Sequence, residues 1–214
     1  EAHADETTWG VHLLDLAKQN LSPDYTVADG GRGLRAGQRA AWPTTPCHGD
    51  VFHAQRDLGQ LAFFLEHRAA GCTTAREKFQ RQLDHRKRHR QGQQLSKRLA
   101  LVRQAERRAV ALAGDVRLLA DWMKGDILAL TGPSLASRRE LFDFVVEELR
   151  HREELCPHRI GPVRRALEQQ RDDLLAFVAV QDEQFVVLAE RLGVPGYLVR
   201  QVGQLEALDH NGPA

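Results

Sequence analysis

Eleven apolar residues constrain this chain more than any other feature: Leu95, Leu99, Val102, Ala105, Ala109, Leu112, Val116, Leu119, Met123, Ile127 and Leu130. Every step between them is three or four residues. That is the period of one helix face and incompatible with the alternation of a strand. The pattern persists over about five heptads, which predicts a long helix packed as a coiled-coil or bundle member. A stripe this long has to be covered, and from the sequence it reads either as core or as the seam of a dimer.

The rest of the chain after residue 57 repeats the theme. Leu58, Leu61, Leu65, Ala69 and Cys72 form one stripe, followed by a basic stretch carrying only Phe79 and Leu83 and a corner at Arg90-Gln-Gly92. Thr131-Gly-Pro-Ser breaks the long helix. Ser137-Arg-Arg-Glu140 has the form of a capping box opening a helix through Leu155. Ile160, Val163, Leu167, Leu174, Phe177, Phe185, Leu188 and Leu192 predict one more long helix, with Gln170 and Gln181 standing on its stripe where apolar residues are expected. Gly193-Val-Pro195 is a stop followed by a start, and Gly196 to Leu208 predicts a short terminal helix.

The first 57 residues differ. Thr8 is placed to cap a helix from Trp9 to about Asn20, and Tyr25-Thr-Val-Ala-Asp29 reads as a buried strand. Gly30, Gly31 and Gly33 follow, then a short helix from Leu34 to Ala41 that stops at Trp42-Pro43. A further short strand is expected around Val51-Phe52. The expected class is therefore mostly α. A small α/β part (1–57) precedes long antiparallel helices forming a coiled-coil-like bundle (58–192), with a short terminal helix and tail (193–214).

Composition excludes some classes. The formal net charge is +1, so the chain as a whole is no polycation. The segment from Arg76 to Arg108 nevertheless holds twelve Lys/Arg against Glu77, Asp84 and Glu106. Arg86, Lys87, Arg88 and Arg90 are its densest cluster, readable as a phosphate-gripping face or as a solvated outer surface. Three well-separated cysteines, Cys47, Cys72 and Cys156, do not suggest a disulfide framework. No apolar run approaches the roughly 20 residues of a membrane helix, so no membrane partner is expected. The N-terminus shows no signal peptide, and the chain starts at Glu1 rather than Met, as a processed product or an excised piece of a longer protein would.

Two clusters bear chemistry. Asp29, at a strand end before glycines, fits either a metal-binding carboxylate or an ordinary Asp-Gly turn; Gly30-Gly31-x-Gly33 lacks nucleotide-loop spacing. Cys47, His48, Asp50 and His53 put four ligand-type side chains within seven residues. Zinc usually draws paired ligands from two segments, and no second pair is nearby. His53 with Arg56 and Asp57 also suits a helix N-terminal turn.

Taken together, Tyr25-Thr-Val-Ala-Asp-Gly-Gly-Arg-Gly-Leu-Arg-Ala-Gly, Pro43 and Asp50-Val-Phe-His-Ala-Gln-Arg-Asp-Leu58 resemble bacterial insertion-sequence transposases of the DDE class. The likeness covers about the first third of the chain. The resemblance implies an RNase H-like core interrupted by an all-helical insertion, and a site where carboxylates hold two Mg²⁺ (or Mn²⁺) ions about 4 Å apart for phosphoryl transfer. In it Asp29 is the second carboxylate, with Asp50 and His53 beside it. The family's first aspartate belongs upstream of Glu1, and its final glutamate sits in a Ser/Asn-rich context that Glu140, Glu147, Glu148, Glu190 and Glu206 all lack. The implied protein is the middle of a transposase, binding double-stranded DNA at transposon ends but inactive alone. It would self-associate through its helical seam and reside in the bacterial cytoplasm on the nucleoid. The rival expectation is a non-catalytic helical scaffolding module using the Leu95–Leu130 seam.

Overall fold

A computed structural model describes residues 6–28, 32–86 and 92–198. Along the chain these form α1 (Glu6–Lys18), β1 (Thr26–Ala28), α2 (Arg32–Ala41), β2 (Cys47–Gly49), α3 (Val51–Arg86) and α4 (Gly92–Trp122). A π-helical turn (Met123–Ile127), α5 (Leu135–Glu153) and α6 (Pro157–Arg191) complete them. The protein is mostly helical, with one two-stranded sheet among the described residues.

β1 and β2 are parallel, with Thr26 opposite Cys47, Val27 opposite His48 and Ala28 opposite Gly49. Parallel neighbours require a crossover, and α2 supplies it. Its return is fixed by Gln38, a buried amide whose Nε2 donates to the carbonyl of Thr45 at 3.0 Å. Trp42 Nε1 donates to the carbonyl of Leu21 at 2.9 Å, tying the end of α2 to the loop before β1. α1 lies across α2 at a point where two glycines meet. A Cβ on Gly37 would stand 2.8 Å from the Gly10 nitrogen, so the close crossing requires glycine there.

The second strand is displaced from its expected place. Val51 and Phe52 open α3, and the strand is Cys47-His-Gly, because Asp50 caps the helix immediately after it. α3 and α4 form a long hairpin. Glu66 pairs with Arg117 (2.7 Å), Arg76 with Glu106 (3.1 Å) and Gln80 with Arg103 (2.8 Å), so partner numbers fall as α3 advances and the two helices run in opposite directions. Leu112, Val116, Leu119, Met123 and Ile127 of the long stripe are buried together with Leu58, Leu61 and Leu65 of α3. The seam offered as a dimer or scaffold interface is thus filled within one chain along this part. The stripe does not run as one α-helix to Leu130. It loosens into the π turn, where Leu128 N–H reaches the carbonyl of Met123 five residues back, and Leu130 is 75% exposed.

Arg138 closes this end. Fully buried, it donates from Nε to the carbonyl of Pro133 (2.8 Å) and from Nη1 to those of Ile127 (2.8 Å) and Ala129 (2.6 Å). These carbonyls have left the helical ladder and need donors. The capping box expected at Ser137 is shifted by one turn: Ser134 is the N-cap, its hydroxyl accepting from Ser137 N–H, and α5 starts at Leu135. α6 opens with Pro157 at its first turn, where the missing N–H costs nothing, and runs back to β2. There Gly49 admits it: a Cβ would meet the Leu174 nitrogen at 3.1 Å. An Arg35–Asp173 ion pair joins α2 to α6 beside this contact. No described helix is long and apolar enough to cross a membrane. The predicted helix 196–208 lies mostly outside the described residues.

Candidate functional site

The chemistry-bearing residues that the structure brings together sit where β2 becomes α3. Gly49 ends the strand, Asp50 N–H donates to the Ala28 carbonyl of β1 (3.1 Å), and the chain turns into the helix. Asp50 Oδ1 accepts from His53 N–H (3.2 Å), the bond of an N-cap carboxylate to the third helical residue. Its Oδ2 lies 2.5 Å from His53 Nδ1, so the ring's Nδ1 proton is aimed at the carboxylate. Burial alone pushes the Asp50 carboxyl up. The hydrogen bonds from the His53 ring and backbone, together with the charge of that ring, outweigh it and hold the group below the ordinary carboxylate range.

The other expected ligands do not converge. The His48 ring packs against Tyr25, centroids 5.3 Å apart, and Cys47 sits a strand residue away. Among the described residues no group of three or more His, Cys, Asp and Glu is placed to hold a metal ion. Both Asp50 oxygens are already engaged by His53, which leaves that carboxylate spent on its own helix. Asp29 lies outside the described residues, as do Lys87, Arg88 and Arg90, while Arg86 is the last residue of α3. Of the glutamates considered for a third carboxylate, Glu147 and Glu148 pair with Arg150 and Arg152 on their own helix. Glu140 and Glu190 are exposed on α5 and α6, and Glu206 lies outside the described residues.

What the sequence did not reveal is a cleft of about 490 Å³ over the same strand ends. Tyr25, Val27, Asp50 and Phe52 form one wall, and Leu130 with Phe177, Val180, Gln181 and Gln184 of α6 the other. The one hint was Gln181, a polar residue on an apolar stripe. Its partners come from four separate elements, so no local pattern could collect them. No family model, no curated protein and no solved structure matches the chain.

Proposed function

We propose that the chain is the internal part of a DDE-class transposase, with a piece of an RNase H-like core at β1–α2–β2 and the helices from α3 onward as its coiled-coil-like insertion. The register of the strands carries this reading. Asp29 and Asp50 each follow in sequence a residue of the pair Ala28–Gly49, which stand opposite one another in the parallel sheet. Side chains at the carboxyl ends of parallel strands are where open α/β sheets place ligands. In the parent enzyme Asp29 would hold Mg²⁺ and Asp50 with His53 would brace the neighbouring turn. The described residues by themselves supply no complete ligand set for the metal. The basic stretch around Arg86 is proposed to hold duplex phosphates, with Lys97, Arg98, Arg107 and Arg108 exposed on the adjoining α4.

Fluorescence anisotropy with a labelled duplex tests this. Affinity should fall steeply between about 50 and about 200 mM salt, and neutralising Arg86, Lys87, Arg88 and Arg90 should flatten the log–log slope by roughly 0.9 per lost phosphate contact. With Mg²⁺ added, no nicking is expected from this chain alone. Cleavage abolished by Asp29→Asn would overturn that inactivity. Absence of DNA binding at either salt would favour the second reading, a non-catalytic interaction module. Its support is the run Phe185, Val186, Val187 and Leu188, all about half exposed near the end of α6, since exposed apolar patches of this kind mark protein contacts.

A further inference from the structure

We infer that the cleft between β1, the start of α3 and α6 is a binding site for an unpaired nucleobase. Its size falls in the range of small-molecule sites. Its walls supply flat apolar surface: Tyr25 and Phe52 are 50% and 66% exposed, and Phe177 lines the far side. Bases of any sequence stack on such rings. From α6, one turn apart, Gln181 and Gln184 bring two carboxamides to the cleft, neither with a hydrogen-bond partner among the described residues. Each carboxamide carries a donor and an acceptor side by side, the pairing that base edges present.

The alternatives fit less well. A purely aliphatic occupant would strip water from both amides and leave them unpaired, which is costly. A phosphate or other anion finds no Lys or Arg in the lining, only the His48 ring already packed against Tyr25, and meets the Asp50 carboxylate as well. A nucleobase uses the rings and the amides together while its sugar and phosphate remain outside. The source of the base, a nucleotide turned out of a DNA strand beside the carboxyl ends of β1 and β2, rests on the transposase reading. The cleft itself does not.

The experiment therefore has two arms on the full chain. In the first, NMR follows the side-chain amide signals of Gln181 and Gln184 during titration to about millimolar adenosine, guanosine, cytidine or thymidine. Both signals should move; the movement of the remaining Gln184 signal should disappear in Gln181→Leu, and that of both signals in Phe52→Ala. Phe52 is largely exposed, so its truncation leaves the core intact. No movement with any nucleoside overturns the proposal, as does movement unchanged in both variants. If Gln181→Leu in addition abolishes concentration-dependent dimerisation in sedimentation, the cleft is a protein contact. In the second arm, a labelled duplex with one unpaired adenine is compared with the fully paired duplex. About a tenfold preference for the unpaired base is expected, lost in both variants while paired-duplex binding stays unchanged. Equal affinity for the two duplexes overturns the proposal. Nucleoside binding with no duplex binding of either kind supports the cleft and overturns the transposase reading instead.

Discussion

Asp50 shows how one side chain serves local structure and lies beside a candidate site at once. As N-cap it satisfies His53 N–H, and as a carboxylate it holds the His53 ring. The two roles separate by substitution. Asp50→Asn keeps a capping oxygen but loses the charge, whereas Asp50→Ala loses both and should cost about 1 kcal/mol at pH 6. The pH dependence follows from the direction of the shift. A carboxyl whose folded pKa is depressed contributes stability that is present above its unfolded value, near pH 4, and disappears as pH falls through the lower folded value. Denaturant titrations at pH 6 and at successively lower pH should therefore find the Asp50→Asn penalty largest at pH 6 and shrinking below about pH 4. A penalty that grows on acidification would contradict the assignment of the His53 contacts as the stabilising cause.

Among the elements, the α3–α4 hairpin separates what a stripe says from what it hides. Leu112 and Leu119 of α4 are buried against α3, while Leu101 and Leu118 on the same helix are 65% and 51% exposed. Leu→Ala at 112 or 119 should cost about 2–5 kcal/mol, and at 101 or 118 about 0.5 kcal/mol or less, measured by chemical denaturation. Comparable losses at the outer pair would mean that a second surface covers them. The stripe made α4 legible because helical burial repeats locally. It could not say whether the covering helix came from the same chain, since both solutions bury the same residues. β2 lies outside its expected place for the converse reason. Cys47-His-Gly has neither β-branched nor alternating character, and what makes it a strand is pairing with β1 and the close approach of α6 at Gly49. The N-cap sits at Ser134, one turn before the expected Ser137; both serines precede apolar positions at helical spacing, and only the hydrogen bond distinguishes them. The site was half legible: Asp50 and His53 stand out as neighbouring ligand-type residues, but the sequence groups His53 with Arg56 and Asp57 and only the structure shows its bond to Asp50, while Gln181, more than a hundred residues away, marks no more than a break in a pattern.

For the whole molecule, the α/β segment and the helices are held together chiefly where α6 crosses β2. Gly49 lets the α6 backbone approach, Leu174 fills the space above it, and the Arg35–Asp173 pair lies alongside. Leu174 also belongs to the main core, so strain at Gly49 is felt on both sides. The remaining tie is α3, which continues from the turn at Asp50 into the hairpin. Two parallel strands with one crossover helix are too few to be stable on their own, so β1 and β2 should persist only while α6 covers them. Gly49→Val sets its first added carbon only 3.2 Å from the Asp173 carbonyl carbon and 3.1 Å from the Leu174 nitrogen. Both neighbours are backbone and cannot rotate away, so α6 must lift, at a cost of about 1–3 kcal/mol. Scanning calorimetry of the unaltered chain should then give one transition and of Gly49→Val two, the earlier one removing amide-exchange protection from β1 and β2 while Leu112 and its neighbours on α4 stay protected. A single transition merely shifted to lower temperature would mean that α3 alone couples the two parts.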